Sequence, residues 1–577
     1  MSKTKAVLFV STLAIFLATP SLRAQIDTGV LSGVIHDNSG GVIPAVEVSI
    51  VNLGTNYRVQ VNTNASGLYV SPPLPAGEYQ ISVSLEGFQP AAKRVTLNLA
   101  ERLGIDFTLQ LGSVAEQITV EAQGVVLQTE QATLSTFRTE REVRELPMND
   151  RNFAELMRYT PGAAPGQSQK SNLALSQQRG NTSSSVNGSS FADNNFVVDG
   201  IQNNSTHQGY GLLLFPEVEA LDQYRVETST PDARYGRSGA TVNVGYKSGT
   251  NQFHGTLFHF FRNSALDARN FFASGEKPAL RRNFFGGVLS GPLGGKDAKT
   301  FFLVSYEGRR TRLGKTFVSD VPTTSMKAGD FSELLGQAKP ITIYDPLTTQ
   351  RNSAGKLVRT PFANNVIPAS MFNSAGAKLL NLYPDPNMAG LANNFLRNPS
   401  DIRDGDQYTV KVDRAFSGGS RGFVRYTQGN FNNIQTRELG LVASPNLLVD
   451  QPVYQLVPSY THIFSPTVIN QTRLGVSYQP LDNVEMSGNV PLAEQFGIPG
   501  VNLDDFTSGL PAITAPGLTR IGSLGCTPAV LHFTNYEVSN NTDMTRGNHS
   551  SASASTRCGA TATCASPAIR AAHSRLA

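Results

Sequence analysis

Hydrophobic and polar positions alternate with a period of two along most of this chain, which is the signature of half-buried strands. Between Thr28 and Leu111, Leu31, Gly33 and Ile35 alternate with Val30, Ser32 and Val34. Val46, Val48 and Ile50 share one strand face, and Ile81, Val83 and Leu85 alternate with Gln80, Ser82 and Ser84. Turn clusters separate these runs, and the pattern predicts an antiparallel β-sandwich of about seven strands. The texture then changes. Residues 140–159 read as helical around a break at Pro147, with Val143, Leu146, Phe153, Leu156 and Met157 at helix-like spacing. A Ser/Asn/Gln/Gly-rich stretch to Asn195 precedes the apolar Phe196-Val197-Val198 and a turn at Asp199-Gly200.

Beyond Asn251 the unit is a strand of about ten residues, a short turn, a second strand and a long polar loop, which is the asymmetry of a transmembrane barrel. Tyr408, Val410 and Val412 occupy one face of a strand, and Gln407, Thr409, Lys411 and Asp413 the other. The chain turns at Ser417-Gly418-Gly419-Ser420 and returns with Val424 and Tyr426 against Arg425 and Thr427. A second hairpin pairs Tyr454–Tyr460 with Leu474, Val476 and Tyr478, opposite Arg473, Gly475 and Ser477. One face suits lipid and the other water. Leu257–Phe261 and Phe301–Tyr306 add strands with girdle aromatics, all Tyr or Phe because the chain has no Trp.

The 48 Lys+Arg against 44 Asp+Glu give a net charge of +4 over 577 residues, too little to point to nucleic acid. Only 16% of residues are charged and 40% are hydrophobic, which excludes a solvated disordered chain. Lys3 and Lys5 precede the apolar run Ala6–Ala18 and a small-residue site ending at Ala24, so residues 1–24 read as a secretory signal. No later apolar run approaches the length of a membrane helix, so a membrane would be crossed by strands. Three cysteines build no disulfide framework. No histidine has a Glu three residues on, and no Gly-x4-Gly-Lys-[Ser/Thr] occurs, so neither a zinc peptidase nor a phosphate loop is expected. The expectation is no catalytic residue, no metal and no cofactor.

The turns of the sandwich carry a resemblance. Asp37-Asn38-Ser39-Gly40 with Pro44-Ala45, Asn64-Ala65-Ser66-Gly67-Leu68-Tyr69, Pro75-Ala76-Gly77-Glu78-Tyr79 and Gly87-Phe88 resemble the carboxypeptidase regulatory-like domain, over residues 26–111. Tyr69 and Tyr79 are expected between the sheets. Within the tether at 112–125, Glu116-Gln117-Ile118-Thr119-Val120-Glu121-Ala122 resembles a TonB box: an extended segment that would lend its backbone to a partner's sheet edge, with one more strand as the plainer alternative. In residues 126–250, four ordered motifs resemble the plug of TonB-dependent outer-membrane receptors. They are Asn187-Gly188, Val197–Ile201, Val218–Val226 and Tyr235–Val244. There Asp199, Gly200, Tyr235, Gly236, Gly239 and Asn243 are expected as structural turn residues more than as ligand contacts, while residues 167–195 are the better candidates for ligand-facing loops. Ile343-Tyr344-Asp345-Pro346 and Asn365-Val366-Ile367-Pro368-Ala369, in a long loop over 320–403, resemble the outer loops of the Oar-like subgroup.

The expected fold is thus mainly β: a seven-stranded sandwich, an α+β plug and, over 251–549, a partial transmembrane antiparallel barrel of ten to twelve strands. A full plugged barrel uses about 22, and an open sheet leaves two edges unpaired in hydrocarbon. After residue 549 alternation gives way to a stretch in which 18 of 28 residues are Ala, Ser or Thr. This pattern is read as a reading-frame shift or truncation near 550, with a flexible tail as the alternative. Cys558 and Cys564 are then accidents of composition. The resemblance implies a receptor exported to the outer membrane and contacting its lipid. Its partners would be the inner-membrane protein TonB and an extracellular saccharide, peptide or chelate. The rival readings are a surface adhesion protein anchored by the barrel and a soluble saccharide-binding β protein.

Overall fold

The structure is a computed structural model that describes residues 28–99, 101–112, 118–121, 134–165, 184–205, 212–229, 239–269, 271, 277–295, 298–440, 442–465, 468–524, 527–546 and 549–565. The signal, Tyr235, Gly236 and most of the Ser/Asn-rich stretch lie outside them.

The N-terminal domain is a two-sheet sandwich. One sheet orders Arg58–Asn62, Glu47–Asn52, Gly77–Ser84 and Ala91–Leu97, and Ile118–Glu121 closes its edge. The other is built on Val30–Asp37, which pairs antiparallel with Leu68–Val70. Arg102–Gly104 and Phe107–Leu109 both pair with that strand in one continuous register, Val30 with Arg102 and Ile35 with Phe107, so they are one strand interrupted at Ile105-Asp106. Counted so, the sandwich proper has seven strands. Its first and last strands pair in parallel, which corrects the wholly antiparallel expectation: alternation fixes which face is buried and is blind to strand direction. Tyr69 and Tyr79 are buried between the sheets, and their hydroxyls donate to Ile105 O (2.7 Å) and Pro75 O (2.9 Å).

The plug is a five-stranded sheet, ordered Leu134–Arg138, Leu221–Ser229, Thr241–Tyr246, Asn195–Val198 and Ile201–Gln202. A helix over Glu140–Glu145 starts at a Thr139–Glu142 capping box and ends before Pro147, and the 3-10 turns of Phe153–Tyr159 follow. Val143, Phe153, Leu156 and Met157 pack on Phe196, Tyr224 and Val242 in the plug core.

The barrel wall is one antiparallel sheet that runs in chain order from His254–Asn263 through Leu280–Pro292, Thr300–Gly314, Ser400–Ala415 and Arg421–Gln435. It continues through Val453–Ser465, Val468–Glu485 and Ala529–Arg546 to His549–Ala565. Leu447–Asp450 and Val453–Ser465 lie end to end between the same two neighbours, and the register carries across the gap between them, shifting only at Ile463–Ser465 against Val468–Glu485. Pro452 falls in the gap between them, where its missing N–H leaves no donor for the ladder. Among the described residues the wall therefore has nine staves, eight of them before residue 549, where ten to twelve were expected, and its first and last strands do not pair with each other. Alternation was expected to end at 549, yet His549–Ala565 pairs with the preceding strand along its whole length. A ladder is made by backbone groups, which small residues supply as well as large ones.

The polarity of this wall is inverted relative to a soluble protein. Val410 is 41% exposed and Lys411 only 5%. Tyr408, Val424, Tyr426, Leu456 and Tyr460 stand outward, while Gln407, Thr409, Arg425, Thr427, Gln455 and Arg473 are buried inward. Tyr454 and Phe464 stand ten residues apart on one outer face. At roughly 3.4 Å per residue and roughly 40° of tilt they span about 26 Å, the height of an outer-membrane apolar band. Strand ends separated by only a few residues of sequence, such as Pro292 and Thr300, Ala415 and Arg421, Ser465 and Val468, and Arg546 and His549, mark one end of the wall, and the long connections mark the other.

At the long-connection end the outer loops share a core of their own. Val321, Tyr383, Leu439, Leu492, Leu510 and Ile521 cluster across three loops. Tyr383 Oη donates to Thr519 O (2.7 Å), and Arg437 Nη1 donates to Gly522 O (2.8 Å). The two Oar-like motifs meet there. The buried Asn365, at φ 57°, accepts from Ile343 N (3.0 Å) and donates to Ile341 O (2.7 Å), so its side chain ties the two motifs together.

Candidate functional site: the plug–barrel interface

The plug strand Asn195–Val198 reverses into Ile201–Gln202 through two residues, with Val198 paired to Ile201. Asp199 at φ 47° and Gly200 at φ 76° both occupy the left-handed region, which is the geometry a two-residue hairpin requires and Asp-Gly accommodates. This turn points its carboxylate at the barrel wall. Asp199 Oδ1 accepts from Tyr246 N (3.0 Å), Oδ2 pairs with Arg425 Nε (2.8 Å), and Lys411 Nζ stands 3.6 Å from Oδ1. Arg425 is wholly buried and donates further to Gln455 Oε1 (2.8 Å) and Thr427 Oγ1 (3.0 Å), with its guanidinium over the Tyr246 ring. Gly200 lies directly beneath Arg473, so a Cβ there would collide with the guanidinium.

The rest of the interface is mixed: Leu213 and Leu214 of the plug pack on Val453, Val288 and Leu303 of the wall join the plug core, and further polar contacts lie beside them. The buried Glu217 accepts from Tyr246 Oη (3.1 Å) and Thr409 Oγ1 (3.2 Å). Gln407 Nε2 donates to Phe215 O (3.0 Å), Lys411 Nζ to Tyr246 O (3.2 Å), and Gln202 N to Glu537 Oε2 (2.9 Å). Towards the outer loops, Asp150 of the plug pairs with Arg282 of the wall, and Arg151 stacks on Phe260. Desolvation holds the Tyr246 phenol well above its ordinary range, with the neighbouring Glu217 adding to the shift. Burial pushes the Asp222 carboxyl up to about 6, and nearby Glu140 works in the same direction.

Other residues singled out from the sequence fall as follows. Gly239 passes so close to the Asp193 carbonyl that a Cβ would clash. Asn243, grouped with the turns, instead sits buried in mid-strand between Val197 and Arg225, because both faces of this sheet are covered inside the barrel. Glu116, Gln117 and Ala122 lie outside the described residues. Ile118–Glu121 forms a strand parallel to Ala91–Arg94, so this part of the tether rests on the edge of the sandwich. In the described part of the Ser/Asn-rich stretch, Asn194 bridges Ser184 O (2.6 Å) and Ala240 N (3.1 Å), and Asn187 donates to Thr228 O (2.6 Å). These side chains tie the plug together.

Among the described residues no cluster of His, Cys, Asp and Glu could hold a metal ion. The pairing of Asp199 with Arg425 and Lys411 spans more than 200 residues of sequence and was not foreseen. The available signal was a cation in the middle of the water-facing side of a strand.

A lipid-facing wall around a buried ion-paired plug sets the context for comparison. The sequence model of the outer membrane beta barrel domain matches residues 246–552, more than half of the chain. The chain belongs to this outer-membrane barrel family. The TonB-dependent receptor plug domain matches 129–241 and the carboxypeptidase regulatory-like domain 30–110, which places the protein among TonB-dependent outer-membrane receptors. The TonB-dependent transporter Oar of Myxococcus xanthus is 24% identical over 315 residues, 50% of this chain and 28% of that protein. The chain thus matches less than a third of that curated relative's length. Among solved structures, the outer membrane transporter YddB from Escherichia coli has a TM-score of 0.45 at 12% identity, covering 74% of this chain and 48% of its own. FpvA of P. aeruginosa, bound to a heterologous pyoverdine, has 0.37 at 12%, covering 75% and 52%.

Proposed function

We propose that this outer-membrane protein is a receptor for uptake of an extracellular ligand, energised by TonB through the tether at 116–122. The observation that carries the reading is the plug. It lies against the inner face of the wall and is held there by ion pairs and hydrogen bonds alongside limited apolar contacts, so its release into water would free charged and polar groups that water can solvate. Charge pairs that desolvate on docking and resolvate on release change little in net free energy. An extended N-terminal segment attached to such a plug is a natural handle, because backbone pairing with a partner's sheet edge transmits force along a row of hydrogen bonds. The polar lumen suits a ligand rich in hydroxyls, amides or charge, hence a saccharide, peptide or chelate. No catalytic step is assigned.

The test is binding of the purified periplasmic domain of TonB to the detergent-solubilised chain. Ile118→Pro with Val120→Pro removes two backbone donors and should abolish binding, whereas Asp199→Asn should leave it intact. Equal binding by the proline variant and the parent would overturn the role of the tether.

A further inference from the structure

The sandwich domain is docked, not dangling. Tyr57 Oη donates to Gly419 O in a short turn of the wall, and Arg421, beside that turn, donates back to Pro73 O. At the start of the barrel, Asn251 N donates to Gly54 O (2.9 Å). Leu99 belongs to the sandwich by sequence but not to its core cluster. It is buried against Gly245 of the plug, its N–H donates to Gln223, and its carbonyl accepts from Arg225 (3.1 Å). These contacts reach plug, junction and wall on different sides of one cavity of about 710 Å³, which is lined by Tyr57 and Tyr79 of the sandwich, Tyr246 of the plug and Lys411, Asp413 and Arg421 of the wall. Asp413 and Arg421 put a carboxylate and a guanidinium on the lining of this chamber. The chamber lies directly beneath the plug, at the end of the wall with the short turns, which is the periplasmic end.

We propose that the sandwich is a gate on the inner mouth of the barrel: docked, it closes the chamber beneath the plug, and anything leaving the lumen passes only after it undocks. The inference rests on the uptake reading for its purpose, since only a protein that passes a ligand needs its inner mouth closed. The strand Ile118–Glu121 adds a means of moving the gate. Because it pairs with Ala91–Arg94, a pull on the tether reaches the sandwich edge before it reaches the plug.

The experiment reads access to the chamber, not uptake. A Thr461→Cys substitution places a thiol on the chamber wall, in a background with Cys526, Cys558 and Cys564 replaced by Ser. Labelling by biotin maleimide is followed by mass spectrometry of the peptide carrying position 461. Leu99→Asp should undock the gate by burying a charge and speed labelling about tenfold. A Cβ on Gly54 would lie 3.9 Å from Thr250 Cβ, within disulfide reach, so Gly54→Cys with Thr250→Cys supplies a staple. Added to Leu99→Asp, the oxidised staple should restore slow labelling and its reduction should release it, a reversal that a misfolded variant would not give. Equal rates in the parent, Leu99→Asp and oxidised staple forms would overturn the gate. Neither result depends on TonB: loss of tether function with a working gate would strike the uptake reading alone.

Discussion

At the scale of single residues, the plug is fixed by a few groups whose removal has unequal consequences. Among the described residues Asp199 is the carboxylate that pairs with the fully buried Arg425, so Asp199→Ala leaves a cation without its counter-charge in the wall. Stranding one partner of a buried pair costs about 3–5 kcal/mol. Urea denaturation of the purified protein, followed by protease sensitivity of the plug, should show a loss of that order, while the double change Asp199→Asn with Arg425→Gln should lose markedly less. Gly200→Ala should cost at least about 1–2 kcal/mol from left-handed strain, and more from contact with Arg473. Asp222 gives a pH signature. Its carboxyl is raised from 3.8 to about 6, chiefly by burial, so between those values the folded state holds the proton more tightly than the unfolded chain. Its contribution to stability is therefore present below about pH 4 and is lost as pH rises towards 6, on the order of 3 kcal/mol at most. Asp222→Asn should flatten that part of the melting-temperature profile, and an unchanged profile would remove Asp222 as its source.

Elements differ in how much of them the sequence discloses. The strand faces of the wall were legible because lipid outside and water inside impose strict alternation, as at 407–413 and 424–427. The break at Pro147 and the Asp199-Gly200 turn were legible because local backbone chemistry decides them. Parallel pairing of the first and last sandwich strands, the docking of Leu99 on the plug and the Asp199–Arg425 pair were not, since each joins segments that no periodicity relates. Small side chains hid the strand His549–Ala565 for a related reason: its ladder is backbone, while the pattern that announces strands is written in side chains. The tether lies between these cases, its extended form legible and its edge not. If Ile118–Glu121 pairs with Ala91–Arg94, its amides should exchange at least about tenfold more slowly than in a free peptide of that sequence. Free-peptide rates measured by hydrogen-exchange mass spectrometry would show the strand unpaired.

For the whole molecule, the arrangement follows from turning a protein inside out. The wall buries Arg425, Arg473, Lys411 and Glu537 and exposes Leu257, Val410, Val424 and Leu456, which would cost solubility in water and is favoured in a bilayer. The polar lumen then needs an occupant that satisfies those groups, and the plug supplies carbonyls and carboxylates to meet them. Long connections gather into an outer cap with its own core, while the sandwich docks at the opposite end. The most direct test of this inverted wall is site-directed spin labelling of neighbouring positions on one strand in lipid. Labels at Val410→Cys and Thr409→Cys would be compared for accessibility to oxygen and to a water-soluble nickel chelate. The inverted wall predicts high oxygen and low nickel access at 410 and low access to both at 409. Greater nickel than oxygen access at 410 would place that face in water and contradict it.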